Sequence, residues 1–241
     1  EGWTIEDVVS HLAVSADGWA INITRAVAGD SGPPEGQSFL PTGVRASHPS
    51  GAAARESRQK LGPHILDDFI AGHKRLQNVL RTLRDEDWDK PCFHRRGVRP
   101  IPAYLGIQLQ ELALQGWDIR WGLYGAAELW PGSLVSLFDL VPRWIGIAFA
   151  PGLDLPTPVR YRFDVSSPVA VCEDLVVAGD SYKTKTSDTE DADATFHCNT
   201  GNYTLLMFGR LQVERAVADG RLSVEGSMER AKDFNAWFKG F

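Results

Sequence analysis

The stretch that most constrains the fold of this chain runs from Ile101 to Tyr124 and is centred on E-L-A-L-Q-G-W-D, Glu111 to Asp118. It is rich in Leu and has no proline after Pro102, which predicts a helix of several turns. At about 100° per residue, Glu111, Gln115 and Asp118 fall on one narrow stripe with Tyr104. Leu105, Leu112 and Ile119 flank that stripe on one side, and Leu114 and Trp121 on the other. A polar line with apolar residues on both flanks points into a bundle, where a buried carboxylate must be paired, metal-bound or protonated. An ordinary helix with a few buried hydrogen bonds gives the same pattern.

The segments around it fit a helical domain. Thr4 to about Ala28 reads as a helix, with Thr4 as N-cap and Glu6 and Asp7 in the first turn. Val8, Leu12, Val14, Trp19 and Ile23 supply its apolar surface, and His11 lies between Val8 and Val14 in that pattern, so its ring is expected to point inward. Gly29 to Gly51 is a Gly/Pro/Ser-rich loop. A second helix starts near Ala52, breaks near Gly62 at Pro63 and continues through Leu83. His64 and His73 lie on it without a partner at metal-ligand spacing. Asp85 to Pro100 is a connection with a basic cluster, His94, Arg95, Arg96 and Arg99, that reads either as an anion contact or as a solvated loop.

After the turn Gly125 to Pro131 comes a helix from Leu134 to Ala148, and from Pro156 the pattern changes. Strands are expected at 160–165, 169–172, 175–177, 194–198 and 222–224, with helices at 200–209 and 230–238. Asp180 to Asp193 is an acidic surface turn with room for one exposed strand. The expected class is α+β: a helical domain over residues 1–126, made of helices only, and a smaller α/β domain with its connecting helix over 127–241.

Composition narrows the function. Lys and Arg total 25 against 31 Asp and Glu, a net charge of −6, and no long basic run exists, which speaks against nucleic acid as a partner. No apolar run approaches the roughly 20 residues needed to span a bilayer. Three widely spaced cysteines, Cys92, Cys172 and Cys198, form no framework, so a reducing cytoplasm is expected. Within the helical domain, His11 from one helix could meet Glu111 and Gln115, one turn apart on another. That is how helical bundles build metal sites.

Gly2 to Leu12, G-W-T-I-E-D-V-V-S-H-L, resembles the metal-binding segment of the DinB-like, mycothiol-dependent maleylpyruvate isomerase family, G-W-[TS]-x-x-[DE]-V-x-x-H-L. Glu111 to Asp118 resembles the family's E-x-x-x-H-x-x-D, with Gln115 in place of the histidine. The part from Pro156 to Phe241, with its A-D-G-R-L-S-V-E-G-S segment, is similar to the sterol-carrier-like C-terminal domain of these bacterial enzymes. The resemblance implies a DinB-like bundle whose first helix would precede Glu1. It implies a divalent metal, most often zinc, held by His11 and Glu111 with Gln115 as a weaker third ligand, and mycothiol or a similar small thiol as cofactor. Glu111 and Asp118 are then the catalytic candidates, with Asp118 orienting the helix or the site.

The implied chemistry is addition of a thiolate, made accessible near neutral pH by the cation, to an electrophilic carbon. An isomerase follows addition by rotation and elimination; a transferase keeps the adduct. The C-terminal domain would bind the anionic cofactor or substrate through Arg210 and Arg221. The departure at Gln115 favours a diverged transferase, in specialised metabolism for example, acting as a monomer or small homo-oligomer on a small-molecule substrate away from membranes. Two other readings stay open at this point. One is a non-catalytic protein that has lost the metal and binds a small molecule or lipid; the other is a metal-free enzyme with Glu111 as base.

Overall fold

The computed structural model describes residues 3–40, 51–150 and 157–238. The chain divides into two compact units, Glu1–Ala127 and Glu128–Phe241.

The first unit is built on α1 (Ile5–Val27), α2 (Gly51–Leu61), α3 (Ile65–Arg81) and α4 (Ile101–Tyr124). Helix α1 starts where the sequence predicts: Thr4 is the N-cap, its Oγ1 accepts from Asp7 N at 3.2 Å, and Asp7 Oδ2 accepts from Thr4 N at 2.8 Å. This reciprocal box satisfies two N–H groups that a helix start leaves orphaned. Its inward face is made of small residues, Ala13, Ala16, Ala20 and Ala26, with Leu12 and Ile23. Small residues let α3 come close: a Cβ added at Gly72 would lie 3.2 Å from both Ala13 O and Asp17 Oδ1. Arg75 on α3 then clamps Asp17 with two bonds, 2.8 and 2.7 Å. Val14, expected on the apolar face, is instead 49% exposed, because the alanines and not the valine meet the neighbouring helices.

Between α2 and α3, Gly62–His64 forms a single 3-10 turn with Gly62 at φ +56°, which is the break expected at Pro63. His64 is exposed, and His73 Nδ1 bonds Phe69 O. The expected loop after the first helix is described only to residue 40; 41–50 lie outside the described residues.

The expectation of helices alone before Ala126 needs correction. Two short strands, β1 (Pro91–Cys92) and β2 (Arg99–Pro100), pair antiparallel within the connection. Cys92 and Phe93 are buried there, so the backbone beside them must be hydrogen-bonded. The ladder supplies those bonds, with Gly97 at φ +109° allowing the turn. Helix α4 follows directly and ends at Gly125 in the left-handed conformation, φ +67°.

The second unit opens with α5 (Leu134–Ala148) and continues with β3 (Val159–Ser166), β4 (Val171–Ala178), β5 (Ser181–Thr186), β6 (Ala194–Asn199), α6 (Thr200–Met207), α7 (Val213–Ala218), β7 (Leu222–Gly226) and α8 (Met228–Trp237). The sheet order is β5-β4-β3-β6-β7, with β3 and β6 parallel and the other pairs antiparallel. Alternation in β3 buries Val159, Tyr161, Phe163 and Val165 on one face, where Phe163 stacks on Phe196 at 5.1 Å and meets Phe234 of α8 edge-on at 5.5 Å. One expectation differs here: the segments 169–172 and 175–177 are replaced by one strand, Val171–Ala178. Helix α7 falls in a stretch for which the sequence suggests no element.

On the outer face of the sheet Asp174 is fully buried directly opposite Arg162. It accepts from Arg162 Nε at 2.8 Å, Arg160 Nη1 at 3.2 Å and Ser187 Oγ at 2.6 Å. Burial alone would raise its pKa, but the bonds from Arg162 and Ser187 and the two guanidinium charges outweigh that and hold it below the ordinary value. Asp174→Asn should therefore cost the second unit about 3–5 kcal/mol at pH 7, because the arginines lose a buried counter-charge. A native pKa below the unfolded 3.8 means that this contribution is complete above that pH and is lost as pH falls through the native value. Urea unfolding of both proteins from pH 7 to pH 3 should show the gap narrowing only at the acid end.

Candidate functional site

The site follows from the start of α1. The capping box fixes the first turn, and Arg58 Nε of α2, 3.4 Å from Asp7 Oδ1, holds it against the neighbouring helix. Trp3, just before the cap, sets its ring edge-on to the His11 imidazole at 5.6 Å and 83°. The same few residues that start the helix thus orient the histidine two turns along it.

Opposite stands the α4 stripe. His11 Nε2 lies 3.7 Å from Glu111 Oε2, with the side chains 24% and 23% exposed. Glu111 Oε2 and Gln115 Oε1 are both buried atoms without a hydrogen-bond partner. The Ser15 hydroxyl, one turn after His11, lies near the Glu111 carboxylate and acts to lower its pKa. Tyr104, at the N-terminal end of the stripe, is buried against Trp19. Asp118, at the other end, is partly buried and has interactions of its own. The structure therefore brings His11 and Glu111 together at a seam between α1 and α4, with the buried Gln115 Oε1 one turn further along α4. Sequence reasoning missed Ser15 and Trp3, although the i, i+4 spacing of His11 and Ser15 was there to find Ser15.

The two cofactor-binding candidates lie in the second unit. Arg221 is committed: its Nη1 donates to Asn202 Oδ1 and its Nη2 to Glu128 Oε1, each at 3.0 Å, on the rim of a shallow cleft of about 540 Å³ that also includes His197 and Asp164. Arg210 Nη1 donates to Phe208 O at 3.0 Å.

Whether the seam fits a metal is decided by its donor atoms. Among the described residues no three of His, Cys, Asp and Glu converge, so the set available is one imidazole nitrogen, one carboxylate oxygen and one amide oxygen. Two buried oxygens without partners, one helical turn apart and beside an imidazole, cost free energy unless something binds them. Such a set offers a divalent cation two donors of ordinary strength and, in the amide oxygen, one weaker toward zinc than an imidazole.

Burial pushes the Glu111 carboxyl up to about 7, against the opposing effect of Ser15. A native pKa above the unfolded 4.5 means that relative stability is complete below that value and is lost as pH rises through about 7. In metal-free protein, Glu111→Gln should thus be the more stable form at alkaline pH, by about 2–3 kcal/mol, with the advantage vanishing near pH 4. Thermal unfolding in chelator at pH 4.5 and pH 8.5 checks this.

The family "Mycothiol maleylpyruvate isomerase N-terminal domain" matches residues 1–120, and the "SCP-2 sterol transfer family" matches residues 159–239. Among solved structures, a mycothiol-dependent maleylpyruvate isomerase is similar at 14% identity and a TM-score of 0.57, covering 88% of this chain and 76% of that one. A histidine-to-alanine variant of a mycothiol-dependent maleylpyruvate isomerase is similar at 13% identity and a TM-score of 0.58, covering 93% and 79%. At such identities the likeness to these structures is one of fold. Comparison with curated proteins gives no match. The chain thus joins a helical N-terminal domain of the mycothiol maleylpyruvate isomerase family to a sheet-containing C-terminal domain of the SCP-2 sterol transfer family.

Proposed function

We propose that this protein is a thiol-dependent transferase or isomerase acting on an electrophilic small molecule, with mycothiol or a related thiol as co-substrate and a divalent cation at the α1–α4 seam. One observation carries the reading: Glu111 Oε2 and Gln115 Oε1 are buried without partners beside His11, whose Nε2 is 3.7 Å from the carboxylate. A cation held by His11, Glu111 and Gln115 would favour the thiolate form of a bound thiol near neutral pH. The chain's own residues do the rest. Trp3 sets the His11 ring, the Ser15 hydroxyl favours the ionised form of Glu111, and the burial of Oε2 and Gln115 Oε1 keeps water from competing for them. Asp118 is assigned a supporting role at the end of the stripe, and Arg210 and Arg221 of the second unit stay the candidates for an anionic group, although Arg210 already bonds Phe208 O and Arg221 bonds Asn202 and Glu128.

Gln115 sets how strongly the site can hold metal. Exchanging one good ligand matters at least as much as losing a supporting partner, which costs about 10–100-fold in affinity or activity. Gln115→His should therefore tighten zinc binding by about that factor and leave the fold intact. The measurement is zinc titration of both proteins, with consumption of a thiol by an electrophilic acceptor followed in parallel. Equal and negligible zinc uptake by both would overturn the metal site and move the reading to a metal-free cleft with Glu111 as base. Zinc uptake without thiol turnover would instead indicate a binding protein.

A further inference from the structure

A second set of polar groups stands at the other end of α4. Tyr104 is 1% exposed and its Oη has no hydrogen-bond partner. Cys92 and Asn22 are close enough to act on it, without hydrogen-bond geometry. Arg99, immediately before the helix, has its Nε buried and likewise without a partner, and its charge acts on the Tyr104 hydroxyl. Two buried donors without an acceptor are rare in a folded protein, since each costs desolvation that a bond would recover.

The surroundings are cationic. Arg95 is exposed on the turn between β1 and β2, and among the described residues no carboxylate pairs with Arg95 or Arg99. Arg96, exposed as a whole, has a partly desolvated guanidinium: burial first, then the charges of Arg95 and Arg99, lower its pKa. The His94 ring meets Tyr104 edge-on at 6.1 Å. The first turn of α4 has Pro100 as N-cap and no side chain receiving its N–H groups, so the positive end of the helix adds to the same region.

We propose that Arg99, Tyr104 and the β1–β2 turn form an oxyanion site that takes the carboxylate or phosphate group of a small molecule. The oxyanion would accept from Arg99 Nε and Tyr104 Oη, lie in the field of the exposed Arg95, and face the start of α4. Tyr104 is seven residues before Glu111 on the same stripe, which is about 10 Å along a helix. The site is thus separate from the His11–Glu111–Gln115 seam, and it requires neither metal nor thiol.

The experiment is titration of the full chain, without metal or thiol, by inorganic phosphate and by malonate at constant ionic strength, read by calorimetry and by the change in melting temperature. Saturable binding of one of them is expected; the tighter ligand identifies phosphate or carboxylate as the natural chemistry. Arg99→Gln should weaken it by about tenfold or more, since charge-assisted bonds are the strong ones. Tyr104→Phe, which removes one oxygen and keeps the ring, should weaken it by about threefold to tenfold. Arg215→Gln, in the other unit, should leave it unchanged. If Arg99→Gln fails to fold, Arg95→Gln on the exposed turn carries the test, with a loss of about threefold expected from its more distant charge. No saturable binding, or binding indifferent to the Tyr104 and arginine substitutions, overturns the site. Because zinc and thiol are absent, the result stands apart from that of the zinc titration.

Discussion

The first unit depends on keeping a carboxylate out of water. Glu111 sits between two helices with its Oε2 buried and without a hydrogen-bond partner, and burial, outweighing the opposing effect of Ser15, raises its pKa to about 7. A helix designed only for stability would place an apolar residue there. Instead the interior of the bundle is divided. An alanine-rich face of α1 packs on α3, around Gly72 and the Asp17–Arg75 clamp. A polar side carrying His11 and Ser15 meets the α4 stripe. Close packing on the first side holds the helices where the second side needs them.

The N-terminal motif is compact because its residues serve that division together. Thr4 and Asp7 start α1, Arg58 ties the start to α2, Trp3 turns back onto the imidazole, and His11 is presented two turns further on. The box stabilises the helix whether or not a ligand is present, whereas the unsatisfied oxygens on α4 add no such stability. That contrast separates the structural part of the motif from its chemical part. Gln115 belongs to the chemical part: it keeps the polar stripe continuous and changes the donor atom offered.

The second unit solves a different problem. Its inner sheet face is filled by aromatic rings from β3, β6 and α8, while its outer face buries Asp174 under two arginines and a serine. The acidic pair Glu173–Asp174 reads locally as an interruption, which is why two strands were expected where β4 is one. Cross-strand pairing with Arg162 makes that interruption the centre of the outer face. Helix α7, six residues without a side-chain N-cap, had too little periodicity to stand out.

The sequence by itself determined the long helices, since amphipathic periodicity, a capping box and a left-handed glycine are local properties. The polar stripe of α4 was legible for the same reason, and with it His11, Glu111 and Gln115 as the residues to watch. The ladder closing the β1–β2 turn, the continuity of β4 and the exposure of Val14 were decided only by tertiary structure, because each depends on which distant segment arrives opposite. The 3.7 Å approach of His11 to Glu111, the placing of Ser15 near that carboxylate and the orphaned atoms of Glu111, Gln115, Tyr104 and Arg99 belong to the same class. Whether a polar atom is satisfied depends on everything packed around it, and no single segment contains that information.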